Sequence, residues 1–89
     1  MKYLHYKVRA GPENTIQVTL TDTANVRLLD ALNYYKYQAG KPYQSAGEST
    51  KQTAVNLKVP HKGEWHVVID LKGQGPDVRA SVQVLITHE

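Results

Sequence analysis

"EWHVVIDL" (64–71) and "VRASVQVLI" (78–86) decide the fold class. In the first stretch Trp65, Val67, Ile69 and Leu71 alternate with Glu64, His66, Val68 and Asp70. In the second, Val78, Ala80, Val82, Val84 and Ile86 fall on one parity. A period of two, rich in β-branched residues, is the signature of a half-buried strand. The link "KGQGPD" (72–77) carries two glycines and a proline, so the pair reads as an antiparallel hairpin. Its expected register sets Leu71 opposite Val78, Ile69 opposite Ala80, Val67 opposite Val82 and Trp65 opposite Val84. Asp70 then meets Arg79 on the outer face, His66 meets Gln83, and Lys72 lies beside Asp77. A one-residue slip would turn the apolar set to solvent, so burial and charge pairing select the same register. Trp65 should point into the core with a hydrogen-bond partner for its indole N–H.

The same period extends outward. "YLHYKV" (3–8), "TIQVTL" (15–20), "ANVRLL" (24–29) and "AVNLKV" (54–59) supply four more strands. In the third of these Val26 and Leu28 face inward and Arg27 outward. Turn chemistry separates the runs: "GPEN" (11–14) sets proline second in a β-turn, "TDT" (21–23) suits a short hairpin, and "PHKG" (60–63) combines proline and glycine. Residues 31–39 break the pattern. Asp30 suits an N-cap, Gly40 a C′ position, and Lys36 the basic last turn of a helix limited to about two turns by mediocre helix formers. The expected fold is therefore all-β. It is a small antiparallel β-sandwich, jelly-roll-like, of about six or more strands with one short helix or helical turn near 31–39, in a single domain over 1–89.

Composition narrows the function. Hydrophobic content of 40% and charged content of 21% are those of an ordinary globular domain. No cysteine is present, which removes disulfides, thiolate metal sites and cysteine nucleophiles, and suits a reducing compartment. "MKYLHYKVRA" has no apolar run, and no stretch approaches the roughly 20 apolar residues that span a bilayer, so the expectation is a cytoplasmic protein with no membrane partner. The net charge of +3 is spread over single Lys and Arg residues, without the basic run that marks many nucleic-acid binders.

Catalytic and metal motifs are missing from the sequence. There is no G-x-S-x-G, no phosphate-cradling loop and no H-E-x-x-H. "GQGP" (73–76) has no helix after it to hold a phosphate. On an extended strand Glu64, His66, Val68 and Asp70 project to one side, a carboxylate-histidine-carboxylate row with steps of about 7 Å that fixes no tetrahedral geometry. Neither metal nor other cofactor is expected, and the chain reads as no enzyme. An enzyme built on His66 and Asp70 would need both in a concave pocket with perturbed pKa values.

One segment stands out. "NYYKYQAGKPY" (33–43) holds Tyr34, Tyr35, Tyr37 and Tyr43, four of six tyrosines. Tyrosine offers large contact area at low entropic cost and a hydroxyl for a wet surface, so the segment is either a core lid or a contact surface. Leu32 and Tyr35, three apart, form one side of the helical turn and should pack as the lid. Tyr34 and Tyr37 form a neighbouring side, expected to be more exposed and joined by Tyr43 and Lys41. The candidate contact residues are Arg27, Asn33, Tyr34, Tyr37, Lys41 and Tyr43.

Taken together, "MKYLHY", "NVRLLD" with "NYYKY" and "AG", "VPHKGEWHVVIDL" and "VRASVQVL" resemble the bacterial DUF1883 family over essentially the whole chain. Asn33, Tyr34 and Tyr37 match its "NY..Y" segment, and Trp65 and His66 its "W-H" strand. The resemblance implies a compact β-sandwich, free-standing or appended to Toll/interleukin-receptor-type domains, with a sensing or recognition role. It carries no catalytic residues. The expected function is a non-enzymatic binding or interaction module. Candidate partners are a protein, a small molecule or carbohydrate, or a second copy of the chain. The alternative is a weak nucleic-acid or nucleotide binder using the tyrosines and neighbouring lysines, motivated by a pI near 9.2.

Overall fold

The computed structural model describes residues 3–49, 52–71 and 78–86. Seven strands and one helix follow in the order β1 (Tyr3–Ala10), β2 (Asn14–Leu20), β3 (Asn25–Asp30), α1 (Ala31–Gln38), β4 (Gly47–Ser49), β5 (Ala54–Lys58), β6 (Gly63–Asp70) and β7 (Ala80–Ile86). They form two sheets, ordered β1-β6-β3-β4 and β5-β2-β7, in which the described pairings are all antiparallel. The sandwich and its single short helix are those the alternation predicts. β4, three residues long, is a strand that the period-two reading does not pick out.

Between the sheets lies an aliphatic core built from one parity of each strand. Ile16, Val18 and Leu20 of β2 meet Val26 and Leu28 of β3, Val55 and Leu57 of β5, and Trp65, Val67 and Ile69 of β6. Trp65 is 2% exposed, and its indole Nε1–H donates to the His61 carbonyl at 3.0 Å. The tryptophan therefore sits as the alternation requires, with its one polar atom satisfied.

Strand pairing departs from the sequence reading. β6 and β7 do not form a hairpin: β6 pairs with β1 and β3, while β7 pairs with β2 in the other sheet. Asp70 thus lies beside Tyr3 and Asn25, not Arg79, and Gln83 lies opposite Gln17, not His66. Lys72 and Asp77, with the rest of the 72–77 link, lie outside the described residues. The physical reason is that alternation fixes which face a side chain takes but not which strand lies alongside. Both faces of β6 are buried, so it belongs at the centre of a sheet with a neighbour on each border. "TDT" is likewise no hairpin, because β2 and β3 belong to different sheets. "GPEN" is the expected turn: Asn14 N–H donates to the Gly11 carbonyl at 2.8 Å, and the Asn14 side chain accepts from Gly11 N–H at 2.9 Å.

The β3–α1 junction is fixed at both ends of the helix. Asp30 caps the N-terminus, its Oδ1 accepting from Asn33 N–H at 2.8 Å. At the other end Gly40 takes φ 71°, a left-handed conformation natural to glycine. Lys41 N–H then reaches the Lys36 carbonyl and Gly40 N–H the Tyr37 carbonyl, the two bonds of a Schellman motif. These caps hold eight residues of modest helix propensity across the outer face of the β1-β6-β3-β4 sheet.

Candidate functional site

The second face of that sheet is not a solvated surface. His66, Val68 and Asp70 of β6 and Leu29 of β3 are all buried beneath α1. A second cluster of Leu29, Val68 and Tyr37 carries Tyr3, Tyr34 and Tyr43 packed against it. Asp70 takes the outer face of the sheet as expected, but α1 covers that face, so the solvent exposure expected for it is wrong. So is the division of the tyrosines: Tyr37 is 5% exposed, Tyr34 and Tyr43 are half-buried, and Leu32 and Tyr35 stand in solvent at 61% and 59% exposure. Both sides of the helix have the same three-residue spacing, so spacing could not choose between them. The surface beneath chooses, because it presents imidazoles and a carboxylate that phenol rings and hydroxyls satisfy and leucine does not. The overlooked signal is "LL" at 28–29 and "VVI" at 67–69, where consecutive apolar residues mark strands buried on both faces.

Each ring in this layer has a partner. Tyr3 meets the edges of Tyr37 at 5.2 Å and Tyr34 at 6.5 Å between centroids, and Tyr37 meets Tyr43 at 5.2 Å. Tyr34 lies flat over two histidines, stacked on His5 at 4.1 Å and on His66 at 4.5 Å. The phenols of Tyr3 and Tyr34 approach to 3.3 Å. Burial, then the Tyr3 hydrogen bond, pushes the Tyr34 phenol up to about 12. Burial, then the Asp70 carboxylate, does the same for Tyr37, also to about 12, against an opposing pull from the Arg27 guanidinium.

Under Tyr34 runs a chain of three titratable groups. His66 Nε2 lies 2.9 Å from Glu64 Oε2, and His66 Nδ1 lies 2.7 Å from His5 Nε2. A carboxylate only accepts, so His66 donates from Nε2, and a single proton occupies the contact between the two imidazoles. Burial, then the neighbouring His66 and Lys7, holds the His5 imidazole below its usual value. The hydrogen bond from His66 holds the Glu64 carboxyl below the usual range, with Lys7 acting in the same direction. Such a chain can pass or store one proton. Its donor atoms lie on opposite sides of the His66 ring and do not converge, and among the described residues no cluster of three or more His, Cys, Asp or Glu could hold a metal ion.

The six residues singled out by sequence fall into two groups. Arg27, Tyr34, Tyr37 and Tyr43 belong to the layer beneath the helix. Arg27 lies between Glu48 of β4, at 3.6 Å, and Asp70, at 3.7 Å, with its side chain largely buried. Asn33 holds the segment together: its Nδ2 donates to Asp30 Oδ1 at 2.9 Å and its Oδ1 accepts from Gln44 N–H at 2.9 Å. Lys41 stands apart on the solvent side, its ammonium 5.8 Å from the centroid of the Tyr35 ring. Beside it an open groove of about 510 Å³ is lined by Leu32, Asn33, Lys36, Pro42, Tyr43 and Gln44. The sequence thus locates the segment and aligns Glu64 with His66, but it gives no sign of His5 and sets Leu32 and Tyr35 on the packed side.

The architecture defines a small antiparallel β-sandwich whose larger sheet carries a helix-covered aromatic layer on its back. The chain belongs to the DUF1883 family, a domain of unknown function, with residues 1–88 matched. No curated protein and no solved structure matches it. Among the described residues no helix is long and apolar enough to cross a membrane.

Proposed function

We propose that the chain is a non-enzymatic interaction module that binds a protein partner through the solvent side of α1. One observation carries this reading: Leu32 and Tyr35, large apolar residues on a two-turn helix, are about three-fifths exposed while the opposite side of that helix is packed. Folding does not require them there. Lys36 and Lys41 flank them, and the groove toward Tyr43 adjoins. A complementary segment presents apolar side chains to Leu32 and Tyr35 and carboxylates to the lysines. A reducing, cytoplasmic setting accords with a chain without cysteine.

The nucleic-acid reading has less support. Stacking on successive bases needs several open ring faces, whereas Tyr3, Tyr34, Tyr37 and Tyr43 are engaged with one another or with His5 and His66, which leaves Tyr35 as the one exposed ring of the segment. The test is amide chemical-shift mapping with two probes, a synthetic peptide of alternating leucine and glutamate and a single-stranded oligothymidine. Peptide-induced shifts at Leu32, Tyr35, Lys36 and Lys41, abolished by Leu32→Ser with Tyr35→Ser, are expected. Binding of the oligonucleotide instead, with affinity falling steeply as salt rises, would overturn the reading in favour of the alternative.

A further inference from the structure

The four strands that border the sheets are not guarded alike. In the larger sheet, β1 carries His5, Lys7 and Arg9, and β4 is only three residues with Glu48 at its centre. In the smaller sheet, β5 ends on Lys58. β7, the remaining border, runs seven residues, "ASVQVLI", with no charge, proline or glycine. Charges, prolines and short length are the usual means by which a border strand is kept from pairing with another chain. Among the described residues β7 pairs only with β2. In its other row of N–H and C=O groups the Ala80 carbonyl accepts from the Tyr6 hydroxyl at 3.3 Å, and the groups from Val82 onward point away from β2.

The side chains tell the same story. Val84 lies directly opposite Ile16, which is wholly buried, yet Val84 itself is 38% exposed and Ile86 68%. Among the described residues the core is therefore left open at the Val84–Ile86 end of β7, while Ala80 and Val82 pack against it. What closes it must offer both a strand edge and aliphatic side chains. β7 offers both to itself. Antiparallel pairing centred on Gln83 overlaps all seven residues and sets Val82 opposite Val84 and Ala80 opposite Ile86 on the core-facing side. On the other side Gln83 meets Gln83, and Ser81 meets Leu85. No like charges face each other at any position, and the contact is its own mirror under a twofold axis, as a closed dimer requires.

We propose that β7 is a dimer interface, formed by antiparallel pairing of β7 with β7 of a second copy about Gln83. It joins the two smaller sheets into one continuous sheet and buries Val84 and Ile86. This surface is separate from the α1 face, so the two proposals stand or fall independently.

Two measurements on the full chain test it. Sedimentation velocity across a concentration series should show a monomer–dimer equilibrium that shifts fully to monomer in Val84→Lys with Ile86→Lys, the circular dichroism spectrum being unchanged. A parent that stays monomeric at every concentration, or a dimer that survives both lysines, overturns the proposal. A dimer lost in Leu32→Ser with Tyr35→Ser instead would assign self-association to α1 and also overturn it. Because the chain has no cysteine, a single introduced thiol reports geometry directly. Gln83→Cys should form a covalent dimer on mild oxidation, since residues opposite one another in antiparallel strands lie about 4.5–5.5 Å apart at Cα. Asn56→Cys, on the opposite border of the same sheet, should not. Equal cross-linking of the two variants counts against β7, and it does so even if the lysine variant misfolds.

Discussion

The two faces of β6 are both buried, but by different chemistry. Trp65, Val67 and Ile69 enter an aliphatic core whose only polar atom from this strand's side chains is one indole nitrogen, satisfied locally. His66, Val68 and Asp70 enter a layer where rings, phenols, imidazoles and carboxylates hold one another. The first face is held by area and packing, which tolerate reshaping of equal volume. The second is held by matched polar partners, where removal of one strands another. A single strand thus separates a region insensitive to pH from one that should respond to it.

That contrast can be attacked directly, and the greatest effect belongs to the aliphatic side. Trp65→Ala should cost about 3–5 kcal/mol, a large share of the stability of a domain this small. Thermal denaturation gives the value, and a melting point within a few degrees of the parent would place the core elsewhere. In the aromatic layer Tyr37→Ala should cost about 3 kcal/mol, whereas Leu32→Ser with Tyr35→Ser, on the other side of the same helix, should stay within about 1 kcal/mol of the parent. Reversal of that order would mean that α1 packs by its leucine side after all.

Acid should weaken the polar layer selectively. The folded chain holds the His5 imidazole below 6.5, so below that value the unfolded chain binds the extra proton first. The contribution is fully present above about 6.5 and is lost as pH falls through the folded value. Glu64 follows the carboxylate rule: its contribution is present above 4.5 and is lost as pH falls through its lowered folded value. Proton NMR titration of the His5 ring is the check, with a midpoint at or above 6.5 counting against the contact. Lys7→Ala should raise that midpoint. The mildest effect lies at the alkaline end. Tyr34 and Tyr37 should ionise near pH 12, two units later than a free phenol, so an ultraviolet titration should show two late phenolates. Early ionisation of all six tyrosines would argue that the layer is open to water.

The comparison also explains what could be read in advance. Trp65, Val67, Ile69, Val26 and Leu28 were legible because their parity is wholly apolar, while the other parity of the same strands carries Glu64, His66, Asp70 and Arg27. The partner of β6 was not, since alternation is silent about which strand lies alongside, and a loop with two glycines can turn a hairpin or cross a sandwich equally well. The candidate site was half legible. The tyrosine density of 33–43 located it, and the caps Asp30 and Gly40 bounded the helix. Which ring faces the sheet depends on His5 and His66, brought from remote positions by the β1–β6 pairing. Residues so far apart in the chain leave no local signature.

Apart from β3–α1–β4, each connection between successive strands passes from one sheet to the other. Neighbours within a sheet are therefore distant along the chain: Tyr3 pairs with Asp70, and Asn14 with Ile86. Folding cannot begin by zipping local hairpins, and loop closure is costly before any ladder forms. Refolding should accordingly be slow for so short a polypeptide, in the millisecond-to-second range of β-topologies with high contact order, and should lack a stable sub-fragment. During synthesis β1 must wait, unpaired, until β6 has been made, and β2 until β5 has.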